Sequence, residues 1–239
     1  MASEVHIRQF IQEWLRDGVH RQGVWRTLRA FSTNVWEFLL DSTPSRRRQR
    51  YGDMDYDWDF RVDTTSGTVG WRDRLLGAFV SPYQPTEPAL FHEMLQSLEI
   101  EYADFTFIDL GSGKGRTLLM AAEYPFRRIL GVELLPGLHA VAVENLRKFH
   151  SPAQKCFALE SRCEDARQFQ FPAEPTVLYL FNPLPETGLK AVMRNLMASL
   201  HGHARPIRVL YHNPLRRDIV DATGLQILKS TERYLVYGA

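Results

Sequence analysis

The feature that most constrains the fold is a regular alternation, after residue 80, of short apolar runs with longer segments of helical periodicity. Such alternation is typical of parallel strands whose connecting helices cover both faces of a sheet. The last two runs can pair as a closing antiparallel hairpin. The sequence therefore predicts an α/β fold with a Rossmann-like, doubly wound, mostly parallel sheet of seven strands. The predicted strands are 105–109, 128–133, 156–159, 176–181, 207–211, 225–228 and 233–237, and the predicted helices are 115–124, 136–149, 186–200 and 215–222.

Residues 1–80 have a different pattern and are predicted to form a helical N-terminal extension to a domain that spans 81–239. Apolar side chains recur at helical spacing in 7–15 and again in 24–38. The second helix is expected to end at the stop signal Asp41-Ser-Thr-Pro44. We expect the extension to act as a lid or a substrate platform, because the core strands leave one side of a ligand site open.

The charge balance argues against a chain that holds a long polyanion. There are 29 basic and 28 acidic side chains, a net charge of +1, whereas binding by charge alone needs a basic excess. The arginine run at 46–50 is followed by four aspartates between 53 and 59, which favours a neutralised, solvated turn over a nucleic-acid patch. Residues 51–70 show no clear period and are expected to form an ordered loop. The five tryptophans lack an interleaved basic stripe, so we expect them to pack rather than to stack on bases.

The cysteine content and the apolar runs bear on the cellular location. Cys156 and Cys163 are too few for a disulfide framework and lack partners at zinc-finger spacing, which indicates reduced thiols and no metal. No apolar run approaches the roughly 18 to 20 residues of a membrane helix. The first residues lack the basic and apolar regions of a signal peptide. We therefore expect a soluble, cytoplasmic protein that does not contact a membrane.

The segment 107–116, FIDLGSGKGR, leads from a predicted strand into a predicted helix. Glycines there let the backbone turn sharply and approach a ligand. A phosphate-binding P-loop would need a glycine where Ile108 stands, and the dinucleotide fingerprint would need one in place of Arg116. The Asp109 carboxylate would repel a pyrophosphate, but it would attract the ammonium group of a ligand such as S-adenosylmethionine.

Two further acidic positions follow the next two predicted strands. Glu133 ends the second strand, 22 residues beyond Gly111, where an acid can accept hydrogen bonds from two ribose hydroxyls. Glu164, Asp165 and Ala166 follow the third strand, where a carboxylate can accept from an adenine amino group. The ordered set of strand-end acids predicts an adenosyl-ligand pocket.

These residues carry a resemblance to a known family. The segment 109–115, DLGSGKG, is similar to the first motif of class I S-adenosylmethionine-dependent methyltransferases, and 131–134, GVEL, is similar to the second. Within that superfamily the DLGSG form resembles Dot1-like histone lysine methyltransferases and small lysine methyltransferases of related build. The segment 83–86, YQPT, resembles the Y-x-x-T segment that closes over the cofactor in Dot1-like enzymes. The wider chain resembles uncharacterised bacterial methyltransferase-domain proteins with a helical N-terminal extension.

The resemblance implies S-adenosylmethionine as the cofactor and specifies the substrate far less well. Tyr83 and Thr86 are expected to cover its methionine end, although Tyr83 could instead be a hydrophobic anchor. Lys114 is expected either to steady the ligand carboxylate or to face solvent. The expected cofactor-binding residues are Tyr83, Thr86, Asp109, Gly111, Ser112, Gly113, Lys114, Gly115, Glu133, Leu134, Glu164, Asp165, Ala166 and Asn182.

The expected catalytic residues are Asn182 and Tyr83. The fourth strand ends in Asn182-Pro-Leu-Pro185, and ligands of open α/β sheets sit outside the carboxyl ends of the strands. The side-chain carbonyl of Asn182 could orient an attacking amine, or the Asn-Pro pair could simply be a turn. The segment resembles the (N/D)-P-P-(Y/F) motif of amino-group methyltransferases without its aromatic residue. That departure favours a protein or small-molecule amine over a nucleobase.

The fifth strand ends in Tyr211-His-Asn-Pro214, and we expect His212 to be a turn residue rather than a base, because its strand lies further from the switch point. Two alternatives to a methyltransferase remain open. One is a nicotinamide-dependent oxidoreductase, against which Asp109 and the missing third glycine argue. The other is a non-catalytic module that works through its N-terminal helices. The sequence leaves the acceptor and the oligomeric state undetermined.

Overall fold

A computed structural model describes residues 7–41, 54–65, 69, 75, 83–182 and 184–239. The helices are α1 (Ile7–Gln22), α2 (Val24–Asp41), α3 (Asp55–Phe60), α4 (Pro88–Gln96), α5 (Arg116–Ala121), α6 (Pro136–Lys148), α7 (Glu186–Gly202) and α8 (Arg217–Asp221). The strands are β1 (Thr106–Leu110), β2 (Arg128–Glu133), β3 (Leu159–Cys163), β4 (Thr176–Leu180), β5 (Ile207–His212), β6 (Gln226–Ser230) and β7 (Tyr234–Gly238).

The seven strands form one sheet in the order β3-β2-β1-β4-β5-β7-β6. The five strands from β3 to β5 are parallel, and β7 runs antiparallel to both of its neighbours. The chain order reverses between β1 and β4, so the carboxyl ends of these two strands flank the switch point at which open α/β sheets bind ligands. The predicted mostly parallel sheet and its closing hairpin are confirmed.

Both faces of the sheet are covered by apolar side chains. Phe107 and Tyr179 lie in a core that includes α4 and α5. Ile108 and Leu178, their neighbours along β1 and β4, lie in a second core that includes α7. Successive residues of a strand point to opposite faces. The continuous burial of β1 and β4 therefore follows from helices packed on both sides.

The third strand was predicted too early, at 156–159. The structure places β3 at Leu159–Cys163. Cys156 is buried because it packs in the core beside α5, and its backbone N–H donates to the carbonyl of Ala122 at 3.0 Å. The strand itself is polar and partly exposed because it lies at the sheet edge, paired with β2 alone.

The N-terminal helices predicted at 7–15 and 24–38 are confirmed as α1 and α2, which contact each other and are longer than predicted. The predicted loop at 51–70 contains the short helix α3, and α4 was not predicted at all. The arginine run at 46–50 lies outside the described residues. In the part of the chain that is described, no helix is long and apolar enough to cross a membrane, and no cluster of acidic, histidine and cysteine side chains could hold a metal ion.

Candidate cofactor and acceptor site

A cavity of about 280 Å³ lies at the carboxyl ends of the central strands, on both sides of the switch point. Leu215 is 70% exposed and forms part of its wall, so the cavity reaches the surface there. Most of the predicted site residues line it: Tyr83, Thr86, Asp109, Gly111, Ser112, Gly113, Glu133, Leu134, Asp165, Ala166 and Asn182. Three other predicted residues are next to lining residues in the sequence but do not themselves line the cavity: Lys114, Gly115 and Glu164.

The glycine loop forms the floor of the cavity after β1. Backbone N–H groups of Gly111 and Ser112 both donate to the carbonyl of Val132, at 2.8 and 3.1 Å, which holds the loop against β2. Gly113 has a φ of +54°, and a Cβ there would overlap the ring of Tyr83. Tyr83 therefore lies directly over the loop, and its contact with a cofactor stays a prediction.

Asp109, next to the last residue of β1, is a buried carboxylate, 3% exposed, that lines the cavity. Burial raises its pKa to about 7, a hydrogen bond from the Thr117 hydroxyl opposes the shift, and the negative charge of Glu133 adds to it. A buried carboxylate with another carboxylate nearby is stabilised by a cation. The pair is suited to the ammonium group of a ligand.

Glu133 is held by the backbone on both sides. Its Oε2 accepts from the N–H of Gly113 and its Oε1 from the N–H of Leu135, each at 2.8 Å. These bonds fix the orientation of the carboxylate, which lines the cavity. The geometry is compatible with the predicted contact to a ribose.

The third strand end contributes Asp165 and Ala166 to an otherwise apolar wall that includes Leu135 and Leu138. Although burial would raise the pKa of Asp165, hydrogen bonds from Arg167 hold it below its usual value. Its carboxylate is therefore ionised at neutral pH. An apolar slot with one acceptor at its edge suits a planar base with an exocyclic amino group.

The sequence did not indicate that residues 54–65, which we call the acidic segment, contact the glycine loop. Lys114 is buried, and its ammonium group donates to Asp63 Oδ1 at 2.8 Å and to the carbonyl of Thr65 at 2.9 Å. It does not face solvent, and a contact to a ligand carboxylate stays a prediction. Tyr83 donates its hydroxyl proton to the carbonyl of Thr64 at 2.6 Å. The segment therefore supports both the loop and the residue that covers it.

A buried hydrogen-bonded chain crosses the strand ends behind the cavity. The Tyr179 hydroxyl lies 2.8 Å from Thr86 Oγ1 and 2.8 Å from His212 Nδ1, and the His212 ring stacks on Phe181 at 3.9 Å between centroids. Tyr179 and Phe181 line the cavity, whereas His212 lies behind them. Burial and, secondarily, the charge of Arg233 lower the pKa of His212 to about 4, against a smaller opposing effect of Glu87. His212 is a neutral ring at physiological pH.

This histidine should make folding sensitive to acid. Because the folded ring takes a proton only near pH 4 and the unfolded ring near 6.5, the wild type loses up to about 3 kcal/mol of unfolding free energy as the pH falls between these values. We expect His212→Asn, which keeps a hydrogen-bonding atom near Nδ1, to remove that loss. Denaturant unfolding across this pH range measures the difference. His150→Asn, at an exposed position, is the control, and identical wild-type and His212→Asn profiles would contradict the prediction.

Asn182 lies just beyond the end of β4, in the left-handed region, with a φ of +45°. Its Nδ2 donates to the carbonyl of Asn213 at 2.6 Å, and its Oδ1 accepts from the Tyr211 hydroxyl at 3.0 Å. The Tyr211 hydroxyl also accepts from the N–H of Arg216 at 3.2 Å, so its own proton is directed to Asn182. These bonds fix the amide with its oxygen on the Tyr211 side. Asn213 repeats the left-handed conformation, with a φ of +48°, and also lines the cavity.

The residues present fit S-adenosylmethionine. The buried Ser112 hydroxyl lies beside Gly131 and has no hydrogen-bond partner among the described residues. Asp109, Glu133 and Asp165 offer three acceptors in a row for an ammonium group, a ribose and an amino group.

Comparison with known proteins gives one family match and several structural neighbours. Residues 79–182 match the family model described as histone methylation protein DOT1. The range runs from before Tyr83 to Asn182 and covers less than half of the chain. Comparison with curated proteins gives no sequence match.

Three solved structures show what the fold is similar to. An RNA methyltransferase from Salinibacter ruber, in complex with S-adenosyl-L-homocysteine, is 20% identical with a TM-score of 0.44, and the alignment covers 65% of this chain and 92% of that one. A magnesium protoporphyrin IX methyltransferase from Synechocystis, with bound SAM, is 15% identical with a TM-score of 0.46, covering 83% and 91%. A predicted N6-adenine-specific DNA methylase from Listeria monocytogenes is 14% identical with a TM-score of 0.49, covering 64% and 51%.

Proposed function

We propose that this chain, which has the class I methyltransferase fold and matches the DOT1 family over residues 79–182, methylates an amine nitrogen with S-adenosylmethionine as the methyl donor. The acceptor is a protein lysine or a small-molecule amine. The observation that carries the proposal is the arrangement of Asp109, Glu133 and Asp165 on successive strand ends, with Asn182 across the same cavity.

Binding of the cofactor depends on charge and shape. Asp109 holds the ammonium group, Glu133 holds the ribose, and Asp165 accepts from the adenine amino group beside Ala166 and Leu134. Tyr83 and Thr86 cover the methionine end and exclude water from it. When bound, S-adenosylmethionine supplies a methyl group activated by the positive charge of its sulfonium.

Catalysis at the other end of the cavity rests on positioning. Asn182 Oδ1, whose orientation is fixed by Tyr211, accepts a hydrogen bond from the amine and directs the nitrogen lone pair into the cavity. No strong base is needed if the amine arrives deprotonated. Leu184, Leu215 and Phe181 form an apolar rim around this opening, which favours the uncharged amine over the ammonium form.

The test of the proposed function has two stages. Isothermal titration with S-adenosylmethionine and S-adenosylhomocysteine, with NAD as the control, establishes the cofactor. Transfer of a labelled methyl group is then measured on lysine peptides, small amines and RNA. Binding of the adenosyl compounds and labelling of an amine support the proposal. Binding of NAD alone would favour the oxidoreductase alternative, and labelling of RNA alone would overturn the choice of acceptor.

Replacement of Asn182 separates catalysis from cofactor binding. We expect Asn182→Ala to lower methyl transfer by about 100-fold, the loss typical of removing one well-placed hydrogen-bonding group in a reaction. The dissociation constant of S-adenosylmethionine should change by less than about threefold, because the cofactor is held mainly by the three acids. Asn195→Ala, on α7 away from the cavity, is a control. Unchanged methyl transfer in Asn182→Ala would remove the assignment.

The extension before residue 80 remains a proposed lid or substrate platform. The acidic segment supports that proposal, because the residues at the carboxyl-terminal end of this segment contact the glycine loop and the hydroxyl of Tyr83. The expectation that the tryptophans pack is wrong for two residues of α2: Trp25 and Trp36 are 86% and 61% exposed. They form a surface that a protein acceptor could contact.

A further inference from the structure

The loop that receives the cofactor carries two buried cations. Lys114 is 1% exposed and Arg116 is 2% exposed, and Arg116 lines the cavity. S-adenosylmethionine has a positive sulfonium, whereas its product S-adenosylhomocysteine has a neutral sulfur in the same place. Like charges repel more strongly in a buried site than in water. These two side chains therefore oppose the substrate cofactor more than the product, unless their charges are offset.

The acidic segment provides the opposing charges. Arg116 Nη2 lies 3.3 Å from Asp57 Oδ1, and Lys114 Nζ lies 2.8 Å from Asp63 Oδ1. The side chain of Asp57 is only 10% exposed, so its charge is little screened by solvent, whereas that of Asp63 is 45% exposed. The stronger effect on the cavity is therefore expected from Asp57, whose partner is the cation in the cavity wall.

Asp57 is held in this position by the backbone. Its Oδ2 accepts from the N–H groups of Thr64 and Thr65, at 2.7 and 2.8 Å, and its Oδ1 accepts from the Thr64 hydroxyl. The Thr64 hydroxyl also accepts from Arg116 Nε at 2.7 Å. The carboxylate and the guanidinium are thus joined both directly and through Thr64, and their relative position is fixed.

The same segment is joined to other parts of the cofactor site. Asn145 on α6 accepts from the N–H of Asp63 and donates to its carbonyl, both at 2.8 Å, and donates to the carbonyl of Lys114 at 2.9 Å. The Tyr83 hydroxyl donates to Thr64. The acidic segment is therefore a fixed part of the cavity's electrostatic environment rather than a solvated surface.

We propose that Asp57, assisted by Asp63, is a specificity-determining positioning residue that makes the cavity prefer cationic S-adenosylmethionine over neutral S-adenosylhomocysteine. The inference rests on the proposed cofactor. In this proposal the acidic segment offsets the positive charges of Lys114 and Arg116. The cavity then retains S-adenosylmethionine and releases S-adenosylhomocysteine.

The test compares two dissociation constants in each variant by isothermal titration at neutral pH. In Asp57→Asn the constant for S-adenosylmethionine should rise relative to that for S-adenosylhomocysteine on the order of tenfold, as expected for one charge removed at close range in a partly buried site. A merely structural role of Asp57 would weaken both ligands equally. The matched control is Asp59→Asn, which removes the same charge from an exposed position of α3 and should leave the ratio unchanged.

Two further variants keep the inference testable if Asp57→Asn does not fold. Asp63→Asn should shift the ratio in the same direction by a smaller factor, and Asp57→Glu, which keeps the charge, should retain most of the wild-type ratio. An unchanged ratio in both Asp57→Asn and Asp63→Asn, with the wild type binding both ligands, would overturn this inference but not the proposed function. A wild-type protein that binds neither ligand would overturn both.

Discussion

Replacing Asp109 with asparagine is expected to stabilise the protein at neutral pH and, at the same time, to weaken cofactor binding strongly. Burial gives Asp109 a pKa of about 7 in the folded protein, against 3.8 as its ordinary value. Between these values the folded state retains a proton that the unfolded state releases, so the free energy of unfolding falls as the pH rises. Above pH 7 the full cost, up to about 4 kcal/mol, is present. The Asp109→Asn variant has no carboxylate to ionise and so avoids this cost, and the Thr117 hydroxyl can hydrogen-bond to an amide as well.

The same substitution removes the charge that receives the ligand ammonium group. Truncating one partner of a buried charged hydrogen bond costs about 2 to 5 kcal/mol, which corresponds to at least about a 30-fold loss of affinity for S-adenosylmethionine. Affinity in the wild type should itself rise with pH up to about 7, because only the ionised Asp109 binds the cation.

Two measurements check this prediction. Denaturant unfolding of wild type and Asp109→Asn from about pH 4 to about pH 8 should give curves that separate as the pH rises, and titration calorimetry should show the loss of binding. Asp104→Asn, at an exposed position just before β1, is the control and should alter neither quantity. Parallel stability profiles would mean that the pKa of Asp109 is not raised in the folded protein. Retained affinity would mean that Asp109 does not bind the ligand ammonium group.

The sheet and the glycine loop could be predicted because their signals are local. Within the ten positions 107–116, neighbouring residues indicate a strand, a turn and the start of a helix. The edge strand β3 begins later in the chain than its predicted position, because apolar content does not mark an edge strand. An edge strand with one partner has a polar, half-exposed sequence, and the apolar residue Cys156 is buried beside α5 instead.

The contribution of the acidic segment could not be predicted, because its partners are distant in the chain. Asp57 and Arg116 are 59 positions apart, and Asp63 and Lys114 are 51 apart. Their position in the sequence predicts that the aspartates between 53 and 59 neutralise the nearby arginine run. Sequence spacing gives no sign that Asp57 instead pairs with a cation of the glycine loop. The orientation of the Asn182 amide could not be predicted either, because it depends on the hydroxyl of Tyr211, which lies on a different strand.

The close contact between Tyr83 and the glycine loop leads to the second large effect. We expect Gly113→Ala to weaken S-adenosylmethionine binding by about 100-fold. The new Cβ would overlap the Tyr83 ring, which costs about 1 to 3 kcal/mol, and a φ of +54° costs an alanine about 1 to 2 kcal/mol more. The two costs add up to roughly 3 kcal/mol. They weaken binding because we expect the bound state to require both the glycine loop and the Tyr83 ring in their present positions.

A second glycine separates the two costs. Gly224 has a φ of +81° with no atom within 4 Å of the Cβ position, so Gly224→Ala carries the backbone strain without the overlap and should leave cofactor binding unchanged. In a Tyr83→Ala background the overlap disappears, and Gly113→Ala should then weaken binding much less than it does with the ring present. Dissociation constants from the four members of this double-mutant cycle measure the coupling. If Gly113→Ala weakens binding equally with and without the Tyr83 ring, the ring does not cover the cofactor loop in the way that we describe.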